Sequence, residues 1–173
     1  MTAPGRARSI ALLLVAVATA SAACTGRPDA PAAGGHSGRV AVHVVEVVDG
    51  DTIRVDLDGE VTPVRLIGID TPEREGPYTD EECYGARSSR FTAEMLGGRR
   101  VELEFDVDRT DRFDRTLAYV WIEDELFNER IVREGYAVTA TFPPNVRYVE
   151  RLAAAQRLAR SGSAGLWGAC PVH

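Results

Sequence analysis

Three runs rich in β-branched residues follow one another within thirty positions: "VAVHVVEVV" at 40–48, "TIRVDL" at 52–57 and "VTPVRLIGI" at 61–69. Side chains branched at Cβ favour the pleated, extended backbone, and the gaps between these runs are too short for a crossover helix. Asp58-Gly59 between the second and third runs is a strong two-residue hairpin signal. The chain therefore commits early to three successive antiparallel strands.

The rest of the pattern alternates helix and strand. From Cys83 to Leu96 the apolar positions Ala86, Phe91, Met95 and Leu96 recur near helical spacing, and Gly97-Gly98 ends the run. "VELEF" at 101–105 and "TLAYVWI" at 116–122 read as strands, 125–135 and 147–160 as amphipathic helices, and "FPPN" at 142–145 as loop. The order of three strands, a helix, two strands and two helices predicts a mainly β chain with helices (α+β), a small closed barrel decorated on its outside. No internal repeat is present, which excludes a solenoid or propeller. Phe91, Met95, Leu126, Ile131 and Leu152 are expected in the core, Trp121 and Trp167 in packing, and His43 half-buried on its strand.

The N-terminal segment has a different character. Arg6 and Arg8 precede an apolar run from Ile10 to Ala20, and small residues lead into Cys24. This is the layout of a secretory signal over 1–23, and its apolar run is shorter than the roughly 20 residues that span a bilayer. Ser21-Ala22-Ala23-Cys24 also resembles a bacterial lipobox, so the chain is expected to be exported, either secreted or held at the cell membrane by a lipid on Cys24. Residues 24–38 are Pro, Gly and Ala with almost no large apolar side chain, and they predict a flexible linker before a single domain at 39–173.

Charge limits what that domain can bind. Loss of Arg6 and Arg8 with the leader leaves 18 arginines against 26 acids, a net charge of −8. A protein that coats nucleic acid by bulk electrostatics is disfavoured, because such affinity comes from many cations neutralising phosphates. A locally basic site on an acidic body is still compatible. Beyond Cys24 the cysteines are Cys83 and Cys170, which an exported chain is expected to pair, the alternative being two buried free thiols. The three cysteines and three histidines show no zinc-ligand spacing.

Charged residues also stand where strands ought to be. Asp51 opens one strand, Asp70 and Glu73 lie just beyond another in "IDTPE", and Arg65 and Arg115 sit in or beside apolar runs. In a barrel these strand ends converge at one rim. Three carboxylates at a rim repel one another unless a cation lies among them, and oxygen donors, with the Thr71 carbonyl added, favour a hard ion such as calcium. Two guanidinium groups beside a hard cation and a free carboxylate suit in-line attack on a phosphodiester, where they neutralise the transition state while the carboxylate handles water.

"VVDGDTIRV", "VRLIGIDTPE", "CYGARSSRFT" and "RTDRFDRTLAYV", in this order and spacing, resemble the staphylococcal nuclease (thermonuclease) family from about Val42 to Trp167. The resemblance implies a five-stranded OB-fold-type barrel with three helices, and a calcium-dependent nuclease that cleaves DNA and RNA to 3′-phosphorylated products; nothing in the sequence suggests more than a monomer. It implies Asp51 and Asp70 as carboxylate ligands of Ca2+, Thr71 as a main-chain ligand, Glu73 as the catalytic carboxylate, and Arg65 and Arg115 as the phosphate-clamping arginines. Cys83 and Cys170 match the disulfide of some exported relatives.

The sequence also departs from the family. Phe113 replaces a tyrosine near the substrate phosphate, Asp114 replaces a glycine before the second arginine, and a lysine-rich loop is the acidic "REGPYTDEEC". Around "TATFPPN" the base-stacking tyrosines are gone, which leaves Phe142 as the stacking candidate. Other readings compete. Asp49-Gly50-Asp51 is also a plain turn sequence, Arg65 and Arg115 could form structural ion pairs with Glu102, Asp111 or Asp114, and Asp80-Glu81-Glu82 reads as a solvated helix start. The rival function is a catalytically silent OB barrel that binds nucleic acid or protein at the cell surface. A calcium-binding structural module is a further alternative that leaves both arginines unexplained.

Overall fold

The three β-branched runs form the first strands of the barrel in the computed structural model, which describes residues 1–2, 38–76 and 80–171. The chain divides into two units, Met1–Ala33 and Gly34–His173, and the fold concerns the second. The expected leader, the linker and Cys24 fall outside the described residues, apart from Met1, Thr2 and Gly38.

β1 (Arg39–Val47) is long enough to serve two neighbours. Its first half pairs antiparallel with β5 (Arg100–Glu104), and its second half with β2 (Thr52–Leu57). A register shift between Val44 and Glu46 bends the strand between those partners, as a bulge does. The β2 turn into β3 (Glu60–Leu66) has Asp58 at φ 56° and Gly59 at φ 86°, the two positive values that a tight hairpin of the primed type demands. β6 (Thr116–Ile122) pairs antiparallel with β5 and parallel with β3, with Arg65 opposite Leu117, and this closes a five-stranded barrel in the order β1-β2-β3-β6-β5.

Val42, Val44, Ile53, Val55, Val64, Leu66, Leu103 and Val120 are buried inside the barrel, each contributing roughly 1.5–3 kcal/mol of transfer free energy. α1 (Gly85–Leu96), α2 (Phe127–Arg133) and α3 (Val149–Ser161) add Leu96, Phe127, Ile131, Val132 and Leu152 to the same core. Leu126, Ile131 and Leu152 are buried as expected, and Phe91 and Met95 pack partly buried against the core. Trp121 is buried, while His43 points to solvent on the outer face of β1, where alternation with Val42 and Val44 puts it.

The elements differ from the sequence expectation in several places. The run 61–69 is interrupted, because the chain leaves β3 after Leu66 and resumes as β4 (Ile69–Asp70), which pairs with β8 (Val138–Thr139) in a separate two-stranded sheet. Helix 125–135 is shorter than its periodicity predicts: Glu125–Leu126 forms β7, a hairpin partner of β6. A single helical turn, α4 (Leu166–Ala169), follows α3.

Candidate functional site

The turn that joins β1 to β2 divides labour between its two aspartates. Asp49 is the turn former, as a short acceptor side chain allows. Its Oδ1 accepts the N–H groups of Asp51 at 3.0 Å and Thr52 at 2.7 Å. Asp51 is thereby turned inward and only 6% of it is exposed. From below, the buried Thr92 of α1 donates its hydroxyl to the Gly50 carbonyl at 2.7 Å. A Cβ on Gly50 would stand 2.6 Å from the Thr71 hydroxyl, so a side chain there would push the turn away from Thr71.

Asp51 and Arg65 form the centre of the site. Asp51 Oδ2 accepts the Thr71 N–H (2.9 Å) and hydroxyl (3.1 Å), while Oδ1 faces Arg65 Nε at 3.2 Å and accepts the Thr52 hydroxyl at 3.2 Å. Arg65 Nη1 donates to the carbonyls of Leu66 and Ile69, both at 2.9 Å, and Nη2 donates to Asp70 Oδ1 at 2.9 Å. Among the described residues, that leaves one guanidinium hydrogen for another partner. The ion pairs of Arg65 are with Asp51 and Asp70, neither of which is among the partners that the sequence suggested. Thr71 meets Asp51 through its N–H and hydroxyl.

Two carboxyls of the rim stand above their ordinary range. Burial pushes the Asp51 carboxyl up to about 6 against the pull of Arg65, with Asp49 and Asp70 adding to the rise. Glu73, exposed at the rim, is also raised, first by its partial burial and then by Asp49, Glu82 and Asp70, with Arg65 opposing. Among the described residues no three carboxylate, histidine or cysteine side chains gather into a cage for a metal. Asp51 and Asp70, joined through Arg65, are the side chains whose oxygens could hold a hard cation.

The second arginine is held on the neighbouring loop. Asp111 Oδ1 accepts the N–H groups of Phe113 (2.9 Å) and Arg115 (3.0 Å), and Oδ2 takes Arg115 Nε at 2.8 Å and Nη2 at 2.7 Å. Burial alone would raise Asp111, but these hydrogen bonds outweigh it and hold the carboxyl low. The carboxylate that orients Arg115 is thus Asp111. Asp114 takes the left-handed turn position at φ 59°. A glycine is the easier residue there, and aspartate is tolerated.

Arg65, Asp111, Phe113, Arg115, Phe142 and Asn145 line one groove of about 560 Å³. Phe113 and Phe142 are 63% and 73% exposed there, an unusual state for rings of that size. The groove is stapled by Asn145, whose Oδ1 accepts the Asp108 N–H at 2.8 Å and whose Nδ2 donates to the Asp108 carbonyl at 2.9 Å.

Sequence reasoning missed Asn145, Thr92, Gly85 and Glu82. Glu82 is not merely a solvated helix start: its Oε2 accepts the Glu73 N–H at 3.0 Å. Gly85 allows α1 to start against Glu73, since a Cβ there would lie 2.0 Å from the Glu73 carbonyl oxygen. "CYGARSSRFT" carried the only signal for Gly85 and Thr92. Cys83 is joined to Cys170, across 87 residues.

A profile of the family described as Staphylococcal nuclease homologue matches residues 63–169. The chain is 44% identical over 124 residues to the thermonuclease of Staphylococcus hyicus, covering 72% of this chain and 73% of that protein. The thermonuclease of Staphylococcus intermedius is also 44% identical over 124 residues, covering 72% and 74%. Endonuclease YncB of Bacillus subtilis (strain 168) is 33% identical over 130 residues, covering 74% of this chain and 62% of its own length.

Proposed function

The chain belongs to the staphylococcal nuclease family, and on that premise we propose that it is an exported, calcium-dependent nuclease that hydrolyses DNA and RNA to 3′-phosphorylated ends. One observation carries the reading: Arg65 and Arg115 open into a single groove with two exposed aromatic rings, beside an acidic pocket. A polynucleotide offers what that groove lacks, namely phosphate for the guanidinium groups and bases for the rings.

The residues divide the work as follows. Glu73 takes a proton from water, and its raised pKa brings it nearer the working range of a general base. The water oxygen bonds to phosphorus as the bond from phosphorus to the 5′-oxygen breaks, and the departing oxygen takes a proton from solvent to become a hydroxyl, while Glu73 returns its own proton to solvent. Arg65 and Arg115 face the extra negative charge of the five-coordinate phosphorus, with Asp51 and Asp70 fixing the first and Asp111 the second. Asp51, Asp70 and the Thr71 carbonyl would hold calcium, which supplies Lewis acidity and charge neutralisation at the phosphate when bound. Phe113 and Phe142 stack bases, and export, with or without a lipid on Cys24, follows from residues 1–23.

The test is product analysis. Single-stranded DNA and RNA are incubated with the oxidised chain in calcium or chelator, alongside Arg65→Ala and Arg115→Ala. The expected result is calcium-dependent cleavage to 3′-phosphate and 5′-hydroxyl ends, with each variant slowed by about 10²- to 10³-fold. Folded wild type that leaves both substrates intact across neutral to alkaline pH would instead favour the silent binding barrel.

A further inference from the structure

Glu73 stands on an exposed segment beyond the last strand that could fix it, which raises the question of what holds it still. Ile69–Asp70 is tied to β8, but Glu73 lies three residues past Asp70, and Glu73 to Gly76 are exposed. On one flank is a cavity of about 570 Å³ lined by Asp70, Thr71, Glu82, Cys83, Trp167 and Cys170.

The backbone of Glu73 is gripped by one residue. Glu82 Oε2 accepts the Glu73 N–H at 3.0 Å, and the Glu82 N–H donates to the Glu73 carbonyl at 2.8 Å. Both polar groups of the Glu73 backbone are thus satisfied by a single partner nine residues on. A charged acceptor makes the first of these bonds stronger than a neutral one. The next residue, Cys83, is covalently tied to Cys170, and Gly85 starts α1 so closely that the Glu73 carbonyl has no room on that side for a Cβ.

We propose that Glu82 is a positioning residue for Glu73: it clasps the Glu73 backbone through its carboxylate and its own N–H, and the Cys83–Cys170 bridge anchors the clasp. The inference rests on Glu73 being the catalytic carboxylate. Placement of an attacking group matters at the ångström level, where a displacement of about 1 Å costs on the order of 10²-fold in rate. The clasp touches neither substrate nor metal in this reading, so its loss lowers kcat and leaves KM near its wild-type value.

The experiment compares Glu82→Ala, Glu82→Gln and Glu73→Gln in the oxidised full-length chain, with steady-state kinetics on a single-stranded oligonucleotide in calcium and a thermal melt of each variant. Glutamine retains an oxygen that can accept the Glu73 N–H; alanine does not. The expected result is a fall in kcat of about 10- to 100-fold for Glu82→Ala, recovery to within a few-fold of wild type for Glu82→Gln, unchanged KM and melting temperatures within a few degrees. If Glu73→Gln abolishes turnover while Glu82→Ala keeps wild-type kcat, the clasp is overturned and the catalytic reading stands. If Glu73→Gln turns over like wild type, the catalytic reading fails first. If Glu82→Ala melts far below wild type and glutamine restores the melt without the rate, Glu82 is a stability residue and the proposal is wrong.

Discussion

The barrel carries two clusters of partly buried acids, and they are built on opposite principles. At Glu104 burial favours the neutral acid, but three donors hold its pKa low. They are Arg147 Nη1 at 2.6 Å, the Tyr148 hydroxyl at 2.9 Å and Trp121 Nε1 at 2.7 Å. Asp106 beside it accepts the Arg147 N–H at 3.0 Å. At Asp51 burial wins: with Asp49 and Asp70 adding to it, the carboxyl rises to about 6 against the pull of Arg65 and the Thr71 N–H. A carboxylate that only braces a fold is given enough donors to be content as an anion. The rim cluster instead keeps carboxyls that burial and neighbouring acids hold above their ordinary range, a pattern that marks candidate functional sites.

The sign of pH dependence follows. Asp51, raised, contributes stability that is complete below its ordinary value of 3.8 and disappears as pH rises through about 6. Glu104, lowered, contributes stability present above 4.5 and lost as pH falls through its folded value.

The sharpest way to separate the clusters is to neutralise one acid in each. Glu73→Gln is expected to lose about 10³-fold in turnover with its melt near wild type, whereas Glu104→Gln keeps its turnover. The same Glu104→Gln variant is expected to lose about 2–4 kcal/mol of unfolding free energy at pH 7 in denaturant titrations, because Arg147 and Tyr148 lose a charged partner. That deficit shrinks below pH 4.5, and a pH-independent deficit would break the contrast. Calcium at about a hundred times its dissociation constant is expected to stabilise the chain at pH 7.5 by roughly 3 kcal/mol. The gain is expected to be smaller at pH 5, where Asp51 is mostly protonated. A larger thermal shift at pH 5 would contradict the assignment of Asp51. The smallest effect belongs to the groove: Phe142→Ala is expected to raise KM for single-stranded DNA by several-fold, the loss of about 1 kcal/mol of stacking.

Much of this was legible in the residues because it is local. Alternating β-branched runs and Asp58-Gly59 specify β1 to β3, and helical spacing specifies α1 and α3. The charged residues of the rim stood out since an apolar strand has no use for Arg65. What escaped is nonlocal or too short to have a period. β4 and β8 are two residues each, so no alternation marks them. Glu82 looked like one acid among three, since only the fold reveals that its oxygen meets the Glu73 N–H. Asn145 is a loop asparagine until Asp108 is beside it, and Thr92 a helix polar residue until Gly50 arrives above it.

The contrast rests on Glu73 being the reactive acid of the rim cluster, and single-turnover cleavage of a single-stranded oligonucleotide by Glu73→Gln in calcium tests that most directly. A folded variant slower than wild type by about three orders of magnitude is the predicted result. A rate within a few-fold of wild type would contradict it and move the chemistry to another residue of the rim.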